Sequence, residues 1–262
     1  MASKTAPAAV LQEGVVDALG REIVDGEVLP GHRYTLEGLQ ERFEISRTVA
    51  RDAMRSLESL GLVESRRRVG LSVQAPRRWN VHHPRVIRWR LEGQHRSTQY
   101  RELAELRIAV EPLAAACAAV RADAAARIRL RELAQELHEH GRAGDADAFL
   151  RADVEFHALI LNSSGNTMFG SLDEIVGEVL AGRMSGGVLP FVATERSLEA
   201  HTGLAAAVAG GDAEEAERLA REVVGEVRDA LATGLDPVGE TPGTGEGDRI
   251  LAARRTAGAL GK

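Results

Sequence analysis

Cysteine is almost absent from this chain of 262 residues, because Cys117 is its only one. A single cysteine excludes an internal disulfide, and its alanine-rich surroundings are typical of a small core residue in a reducing compartment. Long apolar runs are absent too: no stretch approaches the roughly 18 to 20 residues that span a bilayer, and residues 1–10 lack the long apolar stretch of a secretory signal. We therefore expect a cytoplasmic protein with no membrane association.

Lysine is nearly as rare, since Lys4 and Lys262 are the only two and arginine supplies the remaining positive charge. With no internal lysine, the chain has no residue for the Schiff base of a pyridoxal enzyme. The patterns GxxxxGK[ST], HExxH and GxSxG are also missing. The sequence therefore gives no support for a pyridoxal enzyme or for the enzyme classes that these three motifs identify.

The charge that is present is unevenly distributed. Residues 1–90 contain 15 Arg plus Lys against 11 Asp plus Glu, a balance of +4, so the remainder of this chain of net charge −6 carries −10. A basic N-terminal third on an acidic body is typical of a DNA-reading module joined to a domain that does not touch DNA. Ordinary charge fluctuation is the alternative, and charge alone does not decide between the two.

The N-terminal part has the periodicity of three helices followed by a β-hairpin. Ser46 is a good N-cap for the third helix, and Gly61 is a natural stop for it. On that helix Arg47 and Arg51 share a face away from the apolar stripe, and the arginine fork matches the O6/N7 pair of guanine. A solvated basic helix in a small structural domain is the alternative. The helices are expected at 11–25, 36–43 and 46–60, and the strands at 62–65 and 69–74.

The stretch from Leu29 to Val73 resembles the winged helix-turn-helix of the GntR family of regulators. The matching elements are Leu29-Pro30-Gly31, Leu39, Ser46-Arg47-Thr48, Val49-Ala50-Arg51, Ala53, Leu57, Leu60-Gly61-Leu62-Val63 and Gly70. The resemblance implies a homodimer on a pseudo-palindromic operator in double-stranded DNA. Many members contact DNA through an arginine of the second helix, where this chain has Glu37, so we expect that contact to be absent. The DNA-binding residues are expected to be Ser46, Arg47, Thr48, Arg51, Arg55, Arg66, Arg67, Arg68 and Gly70.

From Thr98 to Leu235 every periodic segment is helical, and no alternating strand pattern competes. The sequence therefore predicts a mainly α protein whose C-terminal domain is an all-helical bundle. The Gly-, Pro- and acid-rich residues beyond Leu235 cannot bury a core and are expected to be disordered. The helices are expected at 99–121, 123–140, 145–163, 168–182, 194–210 and 212–233. The domains are expected at 1–75 (DNA binding), 76–97 (ordered linker), 98–235 (helical bundle) and 236–262 (disordered tail).

Two groups of residues in the helical part suggest a binding site. Asp153 and His157 are four residues apart, so both emerge from one face of a helix, and His201 lies on another helix. A carboxylate with imidazoles suits several divalent metals, although one such pair alone is more often a surface polar pair. Arg107 lies close to an apolar stripe and needs a partner, which is either an internal acid such as Glu111 or a bound carboxylate.

Residues 99–233 resemble the FCD ligand-binding domain of the FadR branch of the GntR family. The carrying elements are Glu105-Leu106-Arg107, Glu111-Pro112, Ala115, Asp153-Val154-Glu155-Phe156-His157, Asn162-Ser163, Gly165-Asn166, Ser197-Leu198-Glu199-Ala200-His201, Ala207 and Gly211-Asp212-Ala213. The resemblance implies that Asp153, His157 and His201 bind a divalent metal (zinc, nickel or manganese), and that Arg107 holds an effector carboxylate. The family's further histidine would fall near Val223, beside Glu222, and neither is histidine.

The linker has its own resemblance. Arg78-Trp79-Asn80 with His83-Pro84-Arg85-Val86-Ile87-Arg88-Trp89 is similar to the WN-x-x-x-P-x-V-x-x-W segment of galactonate-responsive regulators in this branch, which implies a sugar acid such as an aldonate as effector. We therefore expect a metabolite-responsive transcriptional repressor and not an enzyme. Two alternatives remain: an architectural DNA-binding dimer without effector, and a metal-dependent enzyme with Glu155 or Glu174 as base.

Overall fold

The computed structural model of the protein describes residues 7–66, 70–185 and 193–232. These residues are mainly helical, with one small three-stranded antiparallel sheet in the order β1-β3-β2. The elements are α1 (Ala8–Val24), β1 (Arg33–Tyr34), α2 (Leu36–Phe43), α3 (Arg47–Ser59), β2 (Val63–Arg66), β3 (Gly70–Val73), a 3-10 turn (Pro76–Arg78), α4 (Pro84–Glu92), α5 (Arg96–Arg121), α6 (Ala124–Ala143), α7 (Ala146–Ser163), α8 (Thr167–Gly170), α9 (Asp173–Ser185), α10 (Glu195–Gly210) and α11 (Ala213–Ala232).

The N-terminal helices and the hairpin follow the sequence closely. The Thr35 hydroxyl caps α2 by accepting from Gly38 N at 3.0 Å, and the Ser46 hydroxyl caps α3 by accepting from Val49 N at 3.3 Å. Each cap satisfies a backbone N–H that has no partner within its own helix. The prediction of a helix at 36–43 is confirmed residue for residue. The short strand β1 was not predicted, because two residues carry no alternating pattern.

The predicted linker contains a nine-residue helix, α4, that packs against both halves of the protein. Trp89 is buried in the N-terminal core, whereas Ile87 packs with residues of α5 and α9. The Trp89 indole lies so close to α1 that a Cβ on Gly20 would be 2.4 Å from the ring. Its Nε1 donates to Asp17 Oδ1 at 3.1 Å, and Arg85 donates to the same oxygen at 2.8 Å. The segment is therefore ordered through side-chain contacts with both halves.

The remaining helices form one bundle with a common core. Small residues of α5, such as Ala115 and Ala119, are fully buried, and they allow α7, α10 and α11 to approach closely. Leu133 of α6 and Phe156 of α7 fill the interior between the helices. This core surrounds the polar side chains described below. None of the helices in the described ranges is both long enough and apolar enough to cross a membrane.

One predicted helix of the bundle is wrong as a single element. The segment 168–182 is divided, because α8 ends at Gly170 and α9 begins at Asp173. At the break, Ser171 Oγ donates to the Met168 carbonyl at 2.9 Å and the Asp173 side chain accepts from Glu174 N at 2.7 Å, and hydrophobic periodicity does not show such local contacts. The predicted disordered tail, 236–262, and the wing tip, 67–69, lie outside the described residues.

Candidate functional site

Five ionisable side chains meet inside the helical bundle, where apolar residues are the rule. Arg107 and Glu111 come from α5, Asp153 and His157 from α7, and His201 from α10. Each is buried, with between 3% and 6% of its surface exposed. We refer to these five residues as the buried polar cluster. It unites the four sensing-site residues expected from the sequence with Glu111.

Three members of the cluster have the arrangement of a metal site. Ligand atoms of Asp153, His157 and His201 all lie within 4.8 Å of one another. The Asp153 Oδ1 atom is 3.4 Å from His157 Nε2 and 3.3 Å from His201 Nε2. Asp153 Oδ1 and His201 Nε2 are nevertheless buried without a hydrogen bond of acceptable geometry. Buried polar atoms that converge without partners are what a missing cation would explain.

Hydrogen bonds on the far side of both imidazoles fix which nitrogen faces the centre. His201 Nδ1 is 2.7 Å from the Ser197 carbonyl oxygen, which can only accept, so Nδ1 carries the proton. In the neutral ring, Nε2 then presents a lone pair toward Asp153. His157 Nδ1 is 2.7 Å from a Glu111 carboxylate oxygen, and its Nε2 likewise faces Asp153. Metal-ligating histidines have this pattern, with the second nitrogen held by a carbonyl or a carboxylate.

The charges of the cluster do not cancel. Burial alone raises the pKa of Asp153, but contacts with His157 and His201 outweigh it and hold that pKa well below its usual range. Burial also raises the pKa of Glu111, but Arg107 and His157 lower it to about 2. Both acids are therefore ionised at neutral pH, and when both imidazoles are neutral, as they are in metal ligands, the cluster retains one net negative charge. Burial lowers the pKa of His157, but Glu111 and Asp153 outweigh it and raise that pKa, so a proton on this ring competes with a cation for the site. A buried charge of this kind requires a cation or a proton, so the residues present fit a divalent metal.

Arg107 has one of the two partners that the sequence left open, the internal acid Glu111. Its guanidinium forms an ion pair with Glu111 one turn along α5, and its Nη2 lies 3.3 Å from His157 Nε2. Its Nη1 is buried and has no hydrogen-bond partner. The internal ion pair is thus present, and one donor group remains for a ligand. Effector binding by Arg107 stays a prediction.

Several positions considered from the sequence lie outside the cluster. Val223 is a buried core residue, and Glu222 forms ion pairs with Arg196 and Arg218 instead. No described residue therefore stands in for the family's further histidine. Glu155 does not belong to the cluster either, since its Oε1 forms a surface ion pair with Arg129 Nε at 2.8 Å. Glu174, the other base of the enzyme alternative, is exposed.

The face of α3 that was expected to read DNA is exposed. Val49, Ala53 and Leu57 bury the opposite face in the N-terminal core. Arg47 and Arg51 project from the exposed side, at the end where the helix dipole favours an anion such as phosphate. Thr48, Arg55 and Ser46 are exposed as well, although the Ser46 hydroxyl also caps the helix.

The wing is described in part. Gly70 has φ +92°, and a Cβ there would lie 2.5 Å from the Tyr34 carbonyl oxygen, so this position requires glycine for the sheet itself. Arg66 ends β2, and its side chain, together with Arg67 and Arg68, lies outside the described residues. Contact between any of these residues and DNA stays a prediction.

The sequence did not assign Glu111 a role at the histidines. The only available signal was its spacing of four from Arg107, which suggested an ion pair within α5 and gave no contact with α7. The two linker tryptophans were also left without partners. Trp79 Nε1 donates to the Gln74 carbonyl at 3.0 Å, and Trp89 Nε1 donates to Asp17. These contacts are between elements, so a periodic pattern cannot show them.

An exposed basic helix on a winged core, joined to a helical bundle, is the architecture of a class of DNA-binding transcriptional regulators. The chain belongs to the GntR family. The model described as "Bacterial regulatory proteins, gntR family" matches residues 11–73, and that of the FCD domain matches residues 102–226. This family consists of transcriptional regulators, not enzymes.

Known relatives agree with this assignment. The chain is 31% identical to the galactonate operon transcriptional repressor of Escherichia coli over 159 residues, which cover 60% of this chain and 69% of the relative. It is 28% identical to the HTH-type transcriptional regulator YieP of Escherichia coli over 162 residues, 60% of this chain and 70% of the relative. A solved structure, "Lar controls the expression of the Listeria monocytogenes agr system and mediates virulence", shares the fold with a TM-score of 0.57 at 17% identity, covering 88% of this chain and 99% of that one.

Proposed function

We propose that this regulator is a repressor that leaves its operator when a small carboxylate binds, together with a divalent metal, at the buried polar cluster. The relative named above as an operon repressor supports the sign of regulation. The effector shifts operator affinity only through its different affinity for two arrangements of the protein. The helix α4 contacts both halves and is the element through which such arrangements differ.

The observation that carries the sensing half is the pair of buried, unpartnered atoms Asp153 Oδ1 and His201 Nε2. With His157 they supply three ligands of the types that zinc, nickel and manganese accept. Three protein ligands leave coordination positions open for an effector. When bound, the metal supplies positive charge for a carboxylate, and Arg107 adds the donor at Nη1 that has no partner.

The effector class that we favour is a sugar acid such as an aldonate. Two observations support it: the linker segment resembles that of galactonate-responsive regulators, and a galactonate operon repressor is among the relatives. The polyhydroxylated part of such a molecule needs polar contacts beyond the carboxylate. The galactonate isomer is therefore the first compound to test.

The DNA-binding half of the proposal follows from two-fold symmetry. A homodimer presents two copies of α3 to a pseudo-palindromic operator, with Arg47, Thr48 and Arg51 at base edges and Ser46 and Arg55 at phosphates. Arg66, Arg67, Arg68 and Gly70 of the wing would lie against the adjacent groove or backbone. The division into a DNA-binding domain (1–75), a linker (76–97) and an effector domain (98–235) belongs to this proposal.

The test is a thermal-shift screen of metal-loaded and chelator-stripped protein against aldonates and other small carboxylates. We expect a stabilisation that needs both metal and acid and that disappears in His201→Ala. The matched control is His138→Ala, because His138 is a partly exposed histidine of α6 outside the cluster. If no acid stabilises a protein that still binds DNA, the architectural alternative replaces the sensor.

A further inference from the structure

Glu111 contacts two parts of the proposed effector site: Arg107, the expected effector-binding residue, and His157, an expected metal ligand. One carboxylate oxygen accepts from the Arg107 guanidinium, and the other is 2.7 Å from His157 Nδ1. The residue is 3% exposed, so water contributes little to either contact.

The consequence of this arrangement is a fixed charge. Arg107 and Glu111 cancel each other, and with both histidines neutral, as metal ligands are, the cluster carries the single negative charge of Asp153. The ion pairs of these side chains are with one another. A divalent metal therefore gives the loaded site one net positive charge, which a single carboxylate neutralises. A second carboxylate on the same molecule would exceed the positive charge that the loaded cluster supplies.

We propose that Glu111 sets the charge selectivity of the sensor, so that the metal-loaded site accepts singly charged carboxylic acids and rejects dicarboxylic acids of the same size. This inference rests on the proposed function, because it assumes that metal and acid bind at the cluster. It adds a specificity-determining residue that does not itself contact the effector. It also restricts the effector class to sugar acids oxidised at one end only.

The experiment compares galactonate with galactarate, which differ in the terminal hydroxymethyl or carboxylate group. Binding to Zn²⁺-loaded protein is measured by calorimetry for the wild type, Glu111→Gln, and the double variant Arg107→Gln/Glu111→Gln. The glutamine keeps an acceptor for His157 but raises the loaded charge by one unit, and the second substitution restores it. Thermal unfolding of each variant confirms that it folds.

We expect the wild type to bind galactonate roughly tenfold to a hundredfold more tightly than galactarate, as for one unit charge acting over a few ångströms in a protein dielectric. That ratio should fall or reverse in Glu111→Gln and return in the double variant, although the loss of the Arg107 donor weakens both acids there. A ratio that is equal in all three proteins overturns the inference.

A second readout does not depend on the effector. In the metal-bound state, where both histidines are neutral ligands, the side chains around the ion are less negative by one charge in Glu111→Gln than in the wild type, and the double variant has the wild-type charge. In a competition between protein and a fluorescent chelator for Zn²⁺, we expect Glu111→Gln to bind most weakly. Equal Zn²⁺ affinities in the three proteins contradict the role of Glu111. A different result would contradict the proposed function instead: the three proteins show the expected order of Zn²⁺ affinities, but the Zn²⁺-loaded wild type binds neither acid.

Discussion

Trp89 of α4 packs against Gly20 of α1, and this contact predicts that Gly20→Ala destabilises the wild type but stabilises a protein that lacks the Trp89 ring. Trp89 is 1% exposed, and a Cβ on Gly20 would lie 2.4 Å from two of its ring atoms. Gly20→Ala should therefore destabilise the wild type by about 1–3 kcal/mol, as overpacking does. Trp89→Ala alone should lower the free energy of unfolding by about 3–5 kcal/mol through the cavity that it leaves.

In the Trp89→Ala background the ring that opposes a methyl group on Gly20 is gone. Gly20→Ala should then stabilise the protein by about 0.5–1 kcal/mol, because alanine is the better residue in a helix interior. The assay is urea unfolding of the four proteins of this double-mutant cycle, followed by circular dichroism. Trp89→Phe is the control: it keeps a ring but loses the donor to Asp17, and it should lower stability by about 1 kcal/mol. If Gly20→Ala has the same effect with and without the indole, α4 does not pack on α1 as described.

Three further predictions concern the DNA-binding half. Ser46→Ala removes the cap of α3 and should lower stability by about 0.5–2 kcal/mol in urea unfolding, whereas Ser46→Asp should retain it; equal losses contradict the capping role. Arg51→Gln should weaken operator binding by about 1–3 kcal/mol in fluorescence anisotropy while leaving unfolding unchanged, and an unaltered affinity removes Arg51 from the interface. Burial raises the pKa of Asp17, but hydrogen bonds from Arg85 and Trp89 outweigh it and lower that pKa. The stability from this contact is present above the ordinary pKa and is lost as pH falls through the lowered value, so Asp17→Asn should reduce the acid-dependent loss of stability.

The sequence predicted what depends on local patterns. Ser46 and the apolar stripe of α3 are local signals, and they were sufficient for the helix, its cap and its exposed basic face. The spacing of Asp153 and His157 was sufficient to place both on one face of a helix. His201 was a candidate on another helix far along the chain, and the resemblance to the FCD domain implied that it joins Asp153 and His157 as a metal ligand. The structure then brings its ring beside Asp153.

The parts that could not be predicted depend on contacts between elements. Nothing local to Glu111 indicates that α7 brings His157 within hydrogen-bond distance of it. The same holds for Trp89, which was placed in a linker because prolines and arginines surround it, while its partners lie on α1. The division of 168–182 was missed because the turn after Gly170 is held by local contacts, such as that of Ser171 Oγ with the Met168 carbonyl at 2.9 Å, which hydrophobicity does not reflect.

The most direct test of this account is the metal stoichiometry and affinity of the purified protein. The wild type and His138→Ala should each bind about one Zn²⁺ per chain in a chelator competition, whereas Asp153→Asn and His201→Ala should lose tight binding, as expected for a site of three protein ligands. Each protein should be shown to be folded by circular dichroism before the titration. If Asp153→Asn and His201→Ala bind Zn²⁺ as tightly as the wild type does, or if folded wild type binds none, then the buried polar cluster is not a metal site.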